Sequence, residues 1–306
     1  MSIEHEKYMQ RTIFNEETLR AHLEKEQNVQ WIELKDLLAE VHESCVDGRG
    51  DKGIIGVPGG NAGEFVLAIS TYEDLTKVKL NDSQIKEAFK RYLEKYGKFY
   101  FHSDTHALEH MKLSEEELRN PPEDKREEIL RKITDPENIG CGHLKLSAKD
   151  PEKYGMRNEI MQVMIRTFFE ELWEGNEELD FTVLEGGHKE GAVVIVKVDV
   201  KDDDINGETK IPIVYPNVGQ LGTQAFVYHP QAVEFLRKEI ASGINEVAGA
   251  EAQVDVEEFA KKMIEKGNNQ LGLTVDTLAK DEQGSPLPKF EVIFDNEGKI
   301  KSIQKN

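Results

Sequence analysis

Two cysteines, one carboxylate and one guanidinium in this sequence have the residue types and spacing of a metal site. Cys45, Asp47 and Arg49 occupy alternate positions in "HESCVDGRGD", and the only other cysteine of the chain is Cys141 in "NIGCGHLKL". A free thiol is mostly protonated near neutral pH, but a bound metal deprotonates it outright. Arg49 would hold Asp47 ionised and oriented beside that metal. These residues therefore predict a metal site with an adjacent Asp–Arg pair.

The third ligand of such a metal is expected to be an imidazole from "KFYFHSDTHALEH". His102 ends an apolar strand-like segment, as Cys45 does, so the predicted ligand set is Cys45, His102 and Cys141. Three protein ligands leave one coordination position for water, which is typical of a catalytic zinc site. His106 is an alternative to His102. A rival arrangement places His102, His106 and His110 on one face of a helix, and it requires this aromatic segment to be helical.

Strands and helices in the first half of the chain must position these residues. "AEVHESCVDG" and "GIIGVPGG" have the β-branched pattern of strands, and "KFYFHSD" is a further strand. "NAGEFVLAI" and "NDSQIKEAFKRYLEKYG" are predicted helices between them, and the strand–helix–strand order predicts a parallel sheet covered by helices. Side chains alternate along a strand, so positions 45, 47 and 49 face one side. They would lie at the sheet edge where α/β proteins place their sites.

The rest of the chain predicts further helices and strands. The first 40 residues are expected to be helical, as are "RNEIMQVMIRTFFEELWEG", "HPQAVEFLRKEIASG" and "DVEEFAKKMIEKGNNQLGLTVDTLAK". "DFTVLEGG" and "GAVVIVKVDV" are expected to pair as strands, and "KFEVIFDNEGKIKSIQ" to form a hairpin. The predicted fold class is α/β, a mostly parallel sheet flanked by helices, with peripheral helices and a C-terminal hairpin. We expect one domain over residues 1–283 and a hairpin extension over residues 284–306.

The composition restricts the compartment and the partners. The formal net charge is −20, from 39 basic and 59 acidic residues, and no basic patch interrupts it. This charge opposes binding to nucleic acids or anionic membranes. No apolar run has the length of a membrane helix, and the first residues lack the pattern of a signal peptide. Two cysteines cannot build a disulfide framework, so a reducing, cytoplasmic location is expected.

The motifs around these residues resemble those of beta-class carbonic anhydrases. "CVDGR" resembles the Cys-x-Asp-x-Arg signature of that family, and "FHSDTHA" is similar to its strand-end His-Thr-Asp-Cys-Gly-Ala. "PGGNAGEF" resembles the loop and helix between the two. The usual cysteine three residues after the histidine is missing, because Thr105 occupies its place. "GCGH" at 140–143 resembles instead the relocated cysteine of the zeta (cadmium-type) and carboxysomal branches. The resemblance covers the part of the chain from residue 35 to residue 150.

The resemblance implies a fold, an activity and a cofactor. It implies a beta-carbonic-anhydrase-like sheet and the reversible hydration of carbon dioxide to bicarbonate by zinc-bound hydroxide. Cys45, His102 and Cys141 would be the metal ligands. Asp47 would accept a hydrogen bond from the zinc-bound water, and Arg49 would keep Asp47 from binding the metal. Two thiolates would also accept Cd²⁺, which is softer than Zn²⁺.

Other functions and assemblies stay open at this point. A related enzyme on the same scaffold would hydrolyse carbon disulfide or carbonyl sulfide. A non-catalytic, zinc-stabilised binding or assembly protein would fill the fourth metal position with a protein ligand, and Asp47 would then be dispensable. Cys45 and Cys141 would be buried apolar residues if no metal binds, which is the commonest role of free cysteine. The chain either forms a homo-oligomer, as beta-class relatives commonly do, or replaces a partner subunit with its longer C-terminal half.

Overall fold

The computed structural model of this chain combines helices and strands throughout and confirms the predicted α/β class. The residues that it describes are 15–26, 28–38, 40–43, 60–96, 98–104, 108–109, 111–138, 146, 149–154, 157–174, 180–184, 192–198, 205–216, 218, 224–249, 252–280 and 284–306. Long helices occur in both halves of the chain, and short strands lie between them.

The helices follow the apolar periodicity of the sequence. They are α1 (Glu16–Glu26), α2 (Leu34–Leu38), α3 (Gly60–Thr76), α4 (Asp82–Tyr96), α5 (Glu115–Arg119), α6 (Arg126–Thr134), α7 (Pro151–Tyr154), α8 (Asn158–Trp173), α9 (Pro230–Ala248) and α10 (Val256–Leu278), with 3₁₀ turns at Glu123–Lys125 and Pro136–Asn138. In α4, Ile85, Phe89 and Tyr92 recur at helical spacing and are all buried. Among the described residues, no helix is long and apolar enough to cross a membrane.

The long helices share one apolar core. Residues from α3, α4, α8, α9 and α10 form this cluster, and α9 packs on both α3 and α10. Aromatic rings join α3 to α4, where the Phe65 ring lies 5.2 Å from Phe89 and 5.8 Å from Tyr92 between centroids. Close-packed aromatic side chains of this kind fix the relative position of the helices that carry them.

The strands of the described residues form three sheets. They are β1 (Asn28–Glu33), β2 (Glu40–Glu43), β3 (Lys98–Asp104), β4 (Asp180–Leu184), β5 (Val193–Val198), β6 (Lys210–Tyr215), β7 (Gln224–Tyr228), β8 (Lys289–Phe294) and β9 (Ile300–Lys305). The sheets have the strand orders β1-β6, β2-β3-β4 and β7-β5-β8-β9. β1 is a correction to the expected helical start of the chain, because its backbone pairs antiparallel with β6.

The β2-β3-β4 sheet is the part that bears on the predicted site. β2 pairs with β3 in parallel, and β3 pairs with β4 in parallel. The chain passes from β2 to β3 through α3 and α4, and α3 packs on β2. The parallel pairing of β2 with β3 agrees with the strand–helix–strand order of the sequence, because a parallel neighbour needs a crossover connection that helices commonly supply. The predicted strand "GIIGVPGG" lies outside the described residues except for Gly60, which begins α3.

The expected pairing of β4 with β5 is wrong. β4 pairs with β3, whereas β5 lies between β7 and β8 in a different sheet. Four of the six β5 residues are buried, including the neighbours Val193 and Val194, whose side chains point to opposite faces. Strands that are buried on both faces take the interior of a sheet. β5 therefore uses two partners that are distant in sequence.

The C-terminal hairpin forms as predicted. β8 and β9 pair antiparallel, and Gly298 adopts a positive φ of 73° in the turn. Such a backbone conformation favours glycine over residues with a Cβ. β8 also pairs in parallel with β5, so the hairpin supplies two strands of the four-stranded sheet. The domain boundary at residue 283 stays a prediction.

Candidate functional site

The strands next to Cys45 and around His102 in the sequence, β2 and β3, are parallel neighbours in one sheet. The last residue pair of β2 and β3 is Glu43 with Phe101, so the carboxyl ends of both strands point to the same sheet edge. β3 continues to His102, which pairs with Thr182 of β4. The structure thus places the His102 backbone in the C-terminal part of a central strand. Open α/β proteins place their binding sites at this edge.

The strand conformation of residues 98–104 excludes the rival histidine arrangement. That arrangement requires His102, His106 and His110 to share one continuous helix. His102 instead lies in β3, which has β-ladder partners on both sides. A strand places successive side chains on opposite faces and cannot stack residues four positions apart as a helix does.

The other predicted site residues lie outside the described residues. They are Cys45, Asp47, Arg49, Cys141 and the alternative ligand His106. Chain connectivity limits the position of Cys45, because two peptide units reach at most about 7 Å from Glu43. In the described part of the chain, no three His, Cys, Asp or Glu side chains are grouped so that they could hold a metal ion. The ligand set, with its Zn²⁺ or Cd²⁺ ion, stays a prediction.

The segment that carries Cys45, Asp47 and Arg49 leads from β2 into α3. α3 begins at Gly60, which has a positive φ of 60°. The first turns of α3 are buried, and they include the carboxylate of Glu64, which is 1% exposed. Burying a charged carboxylate is costly unless an opposite charge and hydrogen bonds compensate for the lost water.

Arg237 of α9 supplies this compensation. Its Nε donates to Glu64 Oε2 over 2.9 Å, and its Nη2 donates to Glu64 Oε1 over 3.0 Å. The Arg237 side chain is 0% exposed. Two parallel hydrogen bonds between a guanidinium and a carboxylate fix distance and orientation together. The pair therefore fastens the start of α3 to α9.

A glycine of α10 makes room for the guanidinium. A Cβ atom on Gly267 would lie 2.8 Å from Arg237 Cζ, closer than such contacts occur in proteins. The next residue, Asn268, accepts a hydrogen bond from the hydroxyl of Tyr228 in β7 over 3.2 Å. Burial raises the pKa of Tyr228, and the positive charge of Arg237 opposes that rise. The Glu64–Arg237 pair is thus the centre of a junction between α3, α9, α10 and β7.

A second buried polar group caps α9. His229 is 1% exposed, and its Nδ1 accepts a hydrogen bond from the Ala232 N–H over 3.3 Å. Burial lowers the pKa of His229 to about 4. The imidazole is therefore neutral at pH 7, with its proton on Nε2 because Nδ1 is an acceptor. No described residue accepts a hydrogen bond from that Nε2 atom.

Sequence reasoning missed the Glu64–Arg237 pair. Each residue, read alone, is an ordinary charge on a helix, and the two are separated by 173 positions. One signal was available, since Glu64 stands alone among small and apolar residues in "GNAGEFVLAIS". A single charge on the apolar face of a helix indicates a buried partner elsewhere in the chain.

Comparisons of the chain with protein-family models, with curated proteins and with solved structures gave no match. The function is therefore argued from the residues and their arrangement.

Proposed function

We propose that this protein hydrates carbon dioxide reversibly to bicarbonate, with a beta-carbonic-anhydrase-like fold and a metal held by Cys45, His102 and Cys141. The observation that carries the proposal is the parallel pairing of β2 and β3, whose carboxyl ends lie side by side. Cys45 follows one of these strands within two residues, and His102 lies in the other. The absence of nucleic-acid and membrane partners, the cytoplasmic location and the assembly state remain expectations from the sequence.

The spacing of the two strands supports a shared ion. Neighbouring strands lie about 4.8 Å apart. Zinc–sulfur bonds are about 2.3 Å long and zinc–nitrogen bonds about 2.0 Å long. Side chains from the ends of adjacent strands can therefore reach one ion without a change in the sheet. Cys141 would complete the set from the chain that follows Asn138, the last described residue before it.

The proposed chemistry divides the work between the ligands and the Asp–Arg pair. Zinc, when bound, acidifies a water molecule so that it can attack carbon dioxide near neutral pH. Asp47 would accept a hydrogen bond from the water and orient its lone pair. Arg49 would donate to Asp47, favour its ionised form and keep the carboxylate from becoming a fourth ligand. With two thiolates, a divalent ion gives a formally neutral site, which acidifies its bound water less than a cationic site does. The orientation of that water by Asp47 would therefore contribute more to its activation.

The test is metal analysis paired with stopped-flow measurement of carbon dioxide hydration. We expect about one zinc per chain. Asp47→Ala should retain the metal and lose hydration by about 10²-fold or more, as removal of a positioned proton acceptor commonly does. Cys45→Ser should lose the metal. Asp124→Ala, which removes an exposed aspartate from a 3₁₀ turn, is the matched control and should behave as the wild type.

Other results would contradict the proposal in different ways. Bound zinc without hydration in the wild type would indicate a zinc-stabilised binding protein. Hydrolysis of carbon disulfide or carbonyl sulfide in preference to hydration would indicate the sulfur-substrate enzyme. Absence of metal from protein purified in the presence of zinc would mean that Cys45 and Cys141 are not ligands.

A further inference from the structure

We propose that a cavity between the end of α3 and the start of α10 is a binding site for a small organic cation, an alkylammonium ion with a short aliphatic chain. The cavity has a volume of about 390 Å³. Small-molecule sites in proteins have volumes of about 300–1,000 Å³. None of the residues that line the cavity belongs to the predicted metal site, so this proposal does not depend on the proposed function.

One part of the lining is apolar. Leu75 and Val78 line the cavity at the end of α3, and Ala252 and Val254 line it from the residues that lead into α10. Val78 is 45% exposed and is one of two exposed large apolar side chains among the described residues. An aliphatic chain that packs on these side chains would remove apolar surface from water, which is favourable.

The other part of the lining is negatively charged. It includes the carboxylates of Asp255 and Glu258, and neither forms an ion pair with a described lysine or arginine. Lys262, one turn after Glu258, pairs with Glu265 over 2.7 Å. The last turn of α3 also lines the cavity through Thr76, and the carbonyl groups at a helix C-terminus carry a partial negative charge. This lining therefore favours a cation.

Hydrogen bonds from two buried side chains hold the lining in place. The Tyr72 hydroxyl donates to the Ala252 carbonyl over 2.8 Å. Asn245 binds the backbone of Val254 twice, because its Nδ2 donates to the carbonyl over 2.7 Å and its Oδ1 accepts from the N–H over 3.2 Å. A site whose walls are fixed before the ligand arrives loses less conformational entropy on binding.

The two parts of the lining together determine the class of ligand. A bare metal ion would make no use of the apolar part, and an aliphatic carboxylate would be repelled by Asp255 and Glu258. Lys77 and Lys79 flank Val78 in the sequence, but neither lines the cavity. An ammonium group on an aliphatic chain matches both the charge and the apolar surface.

The experiment is an NMR titration of the full chain with hexylammonium chloride. We expect saturation with a dissociation constant of about 1 mM or lower, and the largest shifts at the backbone amides of Val78, Val254 and Asp255. Sodium hexanoate, which reverses the charge, and methylammonium chloride, which lacks the chain, should each bind at least tenfold more weakly.

A double variant tests the two carboxylates. Asp255→Asn/Glu258→Gln should weaken hexylammonium binding at least tenfold, and it keeps the cap of α10 because asparagine caps a helix as well as aspartate does. The matched control is Glu257→Gln/Asp276→Asn. It removes the same two kinds of charge from α10, where these carboxylates pair with Lys238 and Lys289, and it should bind hexylammonium as the wild type does.

Several results would overturn the proposal. Equal binding of hexanoate would exclude a cation site, and equal binding of methylammonium would exclude a role for the apolar lining. Equal losses in the two double variants would indicate a general attraction of cations to a chain of net charge −20. Shifts centred elsewhere, or a titration without saturation at millimolar concentrations, would exclude this cavity as the site. None of these results depends on metal binding or carbon dioxide hydration, so failure of the proposed function would leave the test intact.

Discussion

The methyl group that separates glycine from alanine provides a sharp test of the junction at Arg237. Gly267 and Gly272 lie in the same helix, α10, and each would receive one methyl group on substitution by alanine. At Gly267 the new Cβ would lie 2.8 Å from Arg237 Cζ, whereas at Gly272 it would meet no heavy atom within 4 Å. The two substitutions are therefore chemically identical and differ in what they touch.

The expected magnitudes follow from two opposing effects. Alanine is favoured over glycine in a helix interior by about 1 kcal/mol, and this gain applies to both sites. At Gly267 the guanidinium must also leave its place beside Glu64. Breaking one side of a buried ion pair costs about 3–5 kcal/mol. Gly267→Ala should thus lower the free energy of unfolding by about 2–4 kcal/mol, and Gly272→Ala should raise it by about 1 kcal/mol.

Urea unfolding monitored by far-UV circular dichroism measures both values. Two-state transitions with equal slopes allow the free energies to be compared directly. A triple variant tests the cause, since Gly267→Ala should cost little when Glu64 and Arg237 are both methionine. Equal stability of Gly267→Ala and Gly272→Ala would refute the reasoning, because it would mean that Arg237 moves away from Glu64 at no cost.

Two further predictions concern buried polar groups. Burial lowers the pKa of His229 to about 4, so the unfolded chain binds its proton first and stability falls between pH 6.5 and pH 4. His229→Asn keeps a capping acceptor but has no imidazole to titrate. Its free energy of unfolding in urea should therefore fall by about 3 kcal/mol less than that of the wild type between pH 6.5 and pH 4. Parallel pH profiles of the two proteins would contradict the prediction. The Tyr72 hydroxyl donates to the Ala252 carbonyl over 2.8 Å. Tyr72→Phe should therefore lower the unfolding free energy by about 1 kcal/mol, and an unchanged urea midpoint would show that this hydrogen bond has no net value.

Local patterns predicted the elements of the fold because each element is determined by its own residues. The periodic apolar positions of α4 are buried as the pattern indicates, and the aromatic run "FYF" lies in β3. The hairpin β8-β9 turns at Gly298, where a positive φ is required. The position of His102 in this strand was predicted on the same grounds, since a polar residue closes an apolar run.

Local patterns could not predict which elements pair with each other when they are far apart in the sequence. The apolar run of β5 indicates a buried strand but says nothing about which strand lies beside it, so its pairing with β7 and β8 was missed. The helix predicted over the first 40 residues was too long, because residues 28–33 form the short strand β1. This strand owes its conformation to pairing with β6. The Glu64–Arg237 contact was missed for a related reason, since the lone charge of Glu64 on an apolar helix face indicates a buried partner but not which residue it is.

The pairing of β5 with β8 has a consequence for the order of events during synthesis. Val193 emerges from the ribosome long before Lys289, its partner in β8. One edge of the apolar strand β5 therefore has no hydrogen-bonding partner strand until almost the whole chain has been made. Contacts between such distant residues slow folding and leave strand edges exposed to association with other chains. The acidic surface, with a net charge of −20, would keep nascent chains apart during this interval.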